Sequence, residues 1–170
     1  MTLQGRASIR VDMSQGQAFD LTTGVVPLLK EYGAFLTNGV GAGQADRIFH
    51  DQRTLSAGAN EDLDLNGASL VDAFGAALAF VRIKGLIVSA AAANPNPITV
   101  GGAATNGFVS WVGSATDKVS VRPGCSLALI AGAADATGYA VTAATADLLR
   151  VTAGAGGNHI YDVVVWGASA

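Results

Sequence analysis

Apolar and polar side chains alternate through most of this chain, in short segments separated by glycine, alanine, asparagine and threonine. In residues 6–13 the odd positions are apolar and the even positions are polar. A period of two places successive side chains on opposite faces, so this spacing predicts a half-buried strand. Ile9, Val11 and Met13 share its apolar face, and we expect that face to bind a partner.

The following segment has a different period. Its large apolar residues recur at three- and four-residue spacing, which is typical of one face of a helix. These residues are Val25, Leu28, Leu29, Tyr32, Phe35 and Leu36. Thr23 is a suitable N-cap, and Pro27 would lie in the first turn, where its missing N–H is tolerated. The sequence therefore predicts a short helix here and a flexible glycine-rich hinge at 38–43. Residues 1–46 are predicted to form an N-terminal arm that holds one strand and this helix.

From residue 47 onward, strand patterns dominate. Strand candidates recur about every 8–12 residues with turn signals between them, which is typical of a sandwich or a barrel. The candidates are 47–54, 62–65, 79–89, 98–100, 107–112, 118–122, 127–131, 148–152 and 159–166. Asn-Gly pairs at 66–67 and 106–107 and a Pro-Gly pair at 123–124 predict sharp turns.

The remaining segment of this region, 70–78, is ambiguous. Residues 72–75 are interpreted as a turn between strands, and a short helix capped by Ser69 is the alternative; Gly75 would weaken such a helix by about 1 kcal/mol relative to alanine. No helical pattern long enough for a βαβ crossover intervenes, so the predicted fold class is all-β. We expect residues 47–170 to form one antiparallel β-sandwich domain.

Composition narrows the function classes. The chain has 170 residues, of which 50% are hydrophobic and only 14% are charged, and its formal net charge is −3. The usual charged fraction is about 25%, so a surface this poor in charge is expected to be covered by oligomerisation. Lysine and arginine form no cluster, which argues against nucleic-acid binding. The most apolar tract, 76–93, is interrupted by Arg82 and Lys84, and residues 1–10 have no apolar signal-peptide core, so no membrane partner is expected.

One short segment matches part of a calcium loop. Asp62, Asp64, Asn66 and Gly67 match positions one, three, five and six of an EF-hand loop, but Ala73 stands at position twelve, where the bidentate glutamate should be. A solvated strand that leads into an Asn-Gly turn is the favoured interpretation, and these three residues remain a weak calcium candidate.

The other candidate groups also favour structural roles. The glycine clusters lack the Lys-Ser/Thr of a phosphate-binding loop, and no Gly-x-Ser-x-Gly elbow accompanies His50 or His159. Cys125 is interpreted as a packed thiol. Trp111 and Trp166 are candidate partner-binding residues, through core or subunit-interface packing, with sugar stacking as the alternative. We therefore predict no catalytic residues and no cofactor.

Several segments together resemble known virion proteins. They are 47–58, 61–67, 72–75, 80–88, 97–103, 117–129, 135–142 and the ending 161–167. This pattern resembles small virion proteins of tailed bacteriophages, including capsid decoration (cement) proteins. The resemblance covers roughly residues 47–170 and leaves the arm outside. In such proteins Pro-Gly is commonly followed directly by another glycine, whereas in this chain Cys125 follows Pro123-Gly124.

The resemblance implies a jelly-roll-like sandwich, no catalysis, and assembly as a homo-oligomer, with a trimer as the usual state. It also implies a place on the capsid surface of the virion, after synthesis in the host cytoplasm, with the major capsid protein as partner. The expected function is capsid decoration, and the alternative is a tail- or fibre-associated protein that binds host-surface glycans.

Overall fold

The fold was analysed in a computed structural model that describes residues 2–170. This range contains fourteen strands and no helix, so the all-β prediction is confirmed. The strands are β1 Gly5–Ala18, β2 Thr23–Asn38, β3 Gln44–Ala45, β4 Arg47–Leu55, β5 Asn60–Asp64, β6 Leu70–Val71, β7 Ala77–Leu78, β8 Arg82–Ala90, β9 Ile98–Gly101, β10 Lys118–Val121, β11 Ser126–Ile130, β12 Tyr139–Ala140, β13 Leu148–Thr152 and β14 His159–Ala168.

Two antiparallel sheets form the body of the protein. One has the order β11-β8-β14-β4, with β12 also paired to β8, and the other has the order β10-β9-β13-β5. Their inner faces share one core, in which Val163 of the first sheet and Val100 and Val151 of the second are completely buried. The packing of two sheets on a common core is that of a β-sandwich, while the jelly-roll connectivity stays a prediction.

The strand register explains which residues reach the core. In β14, Tyr161, Val163 and Val165 alternate inward, as their period of two predicts, and all three are buried. Ile160 and Asp162 alternate outward and are exposed. The outer face of the β11-β8-β14-β4 sheet, called the outer face below, carries the groups that position the candidate site.

The predicted helix at 23–36 is wrong. Residues Thr23–Asn38 form β2, which pairs antiparallel with β1 over fourteen residues, from Gly5 opposite Leu36 to Ala18 opposite Thr23. The three- and four-residue spacing arises because the apolar residues belong to both faces of a strand. Odd positions such as Val25 lie on one face, and even positions such as Leu28 lie on the other.

The predicted hinge at 38–43 forms a turn that returns the chain to the body. The N–H of Thr37 donates to the carbonyl oxygen of Gly43, 3.0 Å away, and the N–H of Gly41 donates to Oε1 of Gln44, 2.9 Å away. After this turn, β3 pairs in parallel with the end of β2. The arm is therefore a hairpin tied to the sandwich at its base.

Two local predictions have opposite outcomes. The turn at 72–75 is confirmed, since it joins β6 to β7 and the N–H of Gly75 donates to the carbonyl oxygen of Asp72. The strand at 107–112 is wrong, because this segment folds back on itself: the N–H of Val112 donates to the carbonyl oxygen of Val109. Only a single bridge, from Gly107 to Leu148, joins it to a sheet.

Candidate interaction surface

The hairpin formed by β1 and β2 crosses the outer face. At its base, Ala34 is buried and Ala7 is half-buried. Beneath it lies Trp166, which points outward from β14 yet is only 5% exposed. Gly85 of β8 makes room for this indole, because a Cβ atom at residue 85 would overlap the ring. The hairpin base is therefore anchored on a flat aromatic surface of the outer face.

A cavity of about 390 Å³ remains between the hairpin base and the outer face. It is called the base cavity. Mostly apolar side chains line it, including Leu3 and Leu36 from the hairpin side and Ile48, Ile87 and Trp166 from the sheet. The indole Nε1 of Trp166 is buried and has no hydrogen-bond partner among the described residues.

Farther out, the hairpin passes over the edge strand β11. A cleft of about 620 Å³ lies there between Ile9 and Tyr32 of the hairpin and Ile130 and Tyr139 of the body. Beyond this point, residues 10–31 extend past the sheet; this part is called the distal hairpin.

The two faces of the hairpin differ in chemistry. Directly paired residues share a face, so the register defines an apolar face. It consists of Ala7, Ile9, Val11, Met13, Val26, Leu28, Tyr32, Ala34 and Leu36. Lys30 is the one charged residue within this row. The opposite face carries the other charges of the hairpin strands, which are Arg6, Arg10, Asp12 and Glu31, and it also carries the exposed apolar residues Val25, Leu29 and Phe35.

The charged face is held together by its own contacts. The guanidinium of Arg6 lies 2.5 Å from the carboxylate of Glu31 and 4.9 Å from the ring centre of Phe35. A hydrogen bond from Ser8 and the positive charge of Arg6 lower the pKa of Glu31. These contacts stabilise the charged face in water, so it can remain exposed when the apolar face is covered.

The apolar face of the distal hairpin is exposed to solvent. Met13 is 67% exposed and Val26 71%, and the cross-strand partner of Met13, Leu28, is 48% exposed. An isolated two-stranded hairpin is marginally stable in water, and a third strand or a packed surface is normally required. An exposed apolar row of this length is typical of a protein–protein contact surface.

The predicted partner-binding residues fall into two groups. Ile9, Val11 and Met13 lie in one row on the apolar face, as their alternation predicts. Trp166 is covered by the chain's own hairpin. Trp111 is half-buried against the core, and its Nε1 donates to the carbonyl oxygen of Phe108, 3.0 Å away.

The calcium candidates are engaged in other contacts. Asp62 lies on β5 and makes two hydrogen bonds, of 2.6 and 2.7 Å, with Arg150. Asp64 accepts the N–H groups of Asn66 and Gly67, and the Asn66 side chain donates to the carbonyl oxygen of Phe80. Within residues 2–170, no group of three or more His, Cys, Asp or Glu could hold a metal ion. The favoured strand-and-turn interpretation of this segment is confirmed.

Other chemically interesting side chains are dispersed. His50 is exposed on the outer face, whereas His159 is fully buried with Nδ1 3.0 Å from the carbonyl oxygen of Gly157. Cys125 is exposed in the turn after Pro123, so its interpretation as a packed thiol is wrong. The turn places its side chain outside both sheets, where no core residue can cover it.

Sequence reasoning missed a polar link between the two sheets. The hydroxyl of Tyr161, on β14, donates to the carboxylate of Glu61, on β5. Burial, reinforced by this acceptor, raises the pKa of Tyr161. The inward alternation of Tyr161 was visible in the sequence, but its acceptor lies 100 residues away and is set by sheet packing.

Comparison of this chain with protein-family models, curated proteins and solved structures finds no match. Among residues 2–170, no helix is long enough and apolar enough to cross a membrane.

Proposed function

We propose that this chain is a non-enzymatic structural protein of a tailed-bacteriophage virion, a capsid decoration protein that binds the major capsid lattice as a homo-oligomer. The observation that carries the proposal is the distal hairpin, which extends beyond the sandwich with its apolar face exposed. A ribbon of this kind is stabilised when a partner surface covers it.

The class of partner comes from the resemblance of residues 47–170 to small virion proteins. The low charged fraction, 14%, supports the same proposal, since a surface with few charges suits close contact with neighbours. The usual trimeric state of such proteins is part of the proposal.

The mechanism is burial of the apolar face across a junction between capsid subunits. Each large apolar side chain that becomes fully buried contributes about 1.5–3 kcal/mol. The unpaired edges of the ribbon can also add a strand to a neighbouring sheet through main-chain hydrogen bonds. The charged face, with Arg6 and Glu31, then stays in water.

Glycan binding by a tail- or fibre-associated protein has less support. Stacking on a sugar requires an open aromatic face, but Trp166 is buried beneath the hairpin and Trp111 is half-buried. Neither indole therefore supports that alternative as strongly as the hairpin supports assembly.

A shortened hairpin tests the proposal. Residues 10–31, the whole distal hairpin, are replaced by Asn-Gly, so that the paired residues Ile9 and Tyr32 flank a two-residue turn. The base of the hairpin still covers Trp166. We expect at least about a tenfold loss of binding to purified heads of the phage that encodes the chain, since several buried side chains are removed.

The matched control is Asp12→Ser, which keeps the full hairpin and changes only its charged face. This variant should bind heads as the wild type does. Equal occupancy of the heads by the shortened and the full-length protein would show that the distal hairpin does not mediate binding.

A further inference from the structure

Asn-Gly pairs occur in the chain at 38–39, 66–67 and 106–107. In such a pair the main-chain nitrogen of the glycine can attack the amide carbon of the asparagine side chain, because glycine has no Cβ to hinder the approach. The attack requires an asparagine side chain that can turn towards that nitrogen. It also requires a glycine N–H that is free to lose its proton. The three pairs differ in both respects.

The pair at 66–67 is held at both reacting groups. The N–H of Gly67 donates to Oδ1 of Asp64, 2.6 Å away, and Nδ2 of Asn66 donates to the carbonyl oxygen of Phe80, also 2.6 Å away. A hydrogen bond to a carboxylate is roughly twice as strong as one between neutral groups. Both groups must leave these partners before they can react, so the fold protects this pair.

The pair at 38–39 is held less tightly. The N–H of Gly39 donates to the carbonyl oxygen of Ala45, 3.3 Å away, and Oδ1 of Asn38 accepts the N–H of Leu3, 3.0 Å away. Both contacts are longer than those at 66–67, and Asn38 is exposed. We therefore expect intermediate protection here.

The pair at 106–107 is free at both reacting groups. Asn106 is exposed, and within residues 2–170 neither its side-chain amide nor the N–H of Gly107 makes a hydrogen bond. The bridge to Leu148 uses the carbonyl oxygen of Asn106 and the N–H of Phe108 instead. Asn106 has a φ of +52°, a turn conformation that asparagine adopts more readily than most residues.

We propose that Asn106 is the deamidation site of the folded chain, through attack of the Gly107 nitrogen on Cγ of Asn106. The N–Cγ bond forms, the Cγ–Nδ2 bond breaks, and ammonia leaves with the proton of the glycine nitrogen, so that a succinimide ring remains. Water then opens the ring. Cleavage at Cγ gives aspartate, and cleavage at the main-chain carbonyl carbon gives isoaspartate. This modification does not depend on the proposed virion role.

The isoaspartate product disturbs the packing of its segment. Its main chain runs through Cβ and Cγ, and the carbonyl group that accepts the N–H groups of Asp147 and Leu148, each 2.9 Å away, becomes a free carboxylate. Phe108, two residues farther on, is a core residue that is only 3% exposed. Isoaspartate at 106 should therefore loosen Phe108 in the core, and both products add a negative charge to the loop.

Peptide mapping by mass spectrometry, after incubation of the folded protein at mildly alkaline pH, measures the three rates in one sample. The chain unfolded in guanidinium is the matched control, since all three pairs should react there at similar rates. In the folded protein Asn106 should react close to its unfolded rate. Asn66 should react at least about tenfold more slowly than Asn106, because two hydrogen bonds must first break. Equal folded rates at Asn106 and Asn66, or an Asn106 that folding protects as strongly as Asn66, would overturn the proposal.

Two variants test the structural reason. Asp64→Ala removes the acceptor of the Gly67 N–H, so Asn66 should react about threefold faster or more while the rate at Asn106 stays unchanged. Asn106→Gly removes the reacting amide and still accepts a positive φ. After prolonged incubation the melting temperature of the wild type should fall, whereas that of Asn106→Gly should keep its initial value. An equal fall in both proteins would contradict isoaspartate at 106 as its cause.

Discussion

Replacing Trp166 tests the anchoring of the hairpin on the sandwich. The side chain is only 5% exposed, and its Nε1 has no partner among the described residues of the single chain. A buried tryptophan removes about 150–250 Å² from water, which corresponds to about 4–6 kcal/mol at 25 cal/mol per Å². Its stabilisation of the monomer therefore comes from packing and not from a hydrogen bond.

Two substitutions separate these contributions. Trp166→Ala should lower the free energy of unfolding by about 3–5 kcal/mol, because it leaves a cavity between the hairpin and the outer face. Trp166→Phe keeps an aromatic ring and removes a donor that has no acceptor, so we expect a loss of about 1 kcal/mol or less.

The assay is urea denaturation at a protein concentration low enough for the chain to be monomeric, combined with limited proteolysis of residues 1–46. Trp166→Ala should also expose the hairpin to cleavage. Equal losses for the two substitutions would show that the N–H, and not the ring, stabilises the fold. A small loss for Trp166→Ala would show that the hairpin is not anchored on this residue.

Three further predictions concern the body of the protein. Gly85→Ala should destabilise the fold by about 1–3 kcal/mol in thermal or urea unfolding, because the new Cβ would overlap Trp166; unchanged stability would contradict the close approach. The pKa of Tyr161 is raised in the folded chain, so the unfolded chain loses the hydroxyl proton at a lower pH. The free energy of unfolding of the wild type should therefore fall as the pH rises above about 10. Tyr161→Phe should flatten that fall in unfolding measured from about pH 9 to 11. Millimolar calcium should leave the melting temperature unchanged. Asp62→Asn should lower the free energy of unfolding by at most about 1 kcal/mol, because it breaks only a partly exposed ion pair with Arg150. A melting temperature that rises with calcium in the wild type, but not in Asp62→Asn, would show that calcium does bind at Asp62.

The local alternation of side chains is the part of the fold that the sequence predicts well. Residues 6–13 alternate strictly and lie within β1, and the inward row of β14 is the one expected from its period. The error at β2 has a physical cause: both faces of the hairpin carry large apolar residues, so their combined spacing imitates a helix. A strand such as β1 must pair with another strand. That requirement was evidence in the sequence against a helix in the segment that follows β1.

The candidate site depended on contacts that no local pattern encodes. Ile9, Val11 and Met13 could be placed on one face from their spacing alone. The burial of Trp166 could not, because the hairpin that covers it is more than 120 residues away in the chain. Gly85 offered a weak signal, since a glycine within an apolar strand often marks the close approach of another group.

The central claim is that the apolar face of the distal hairpin is covered by a neighbouring molecule on a virion. The most direct test is a density map of intact virus particles purified from cells that express this chain from its natural gene. If the proposed function is correct, the map shows the sandwich on the capsid surface, with Met13 and Leu28 packed against a neighbour and the face that carries Arg6 and Glu31 in solvent. A particle that lacks the chain, or a map in which Met13 and Leu28 face solvent, would contradict it.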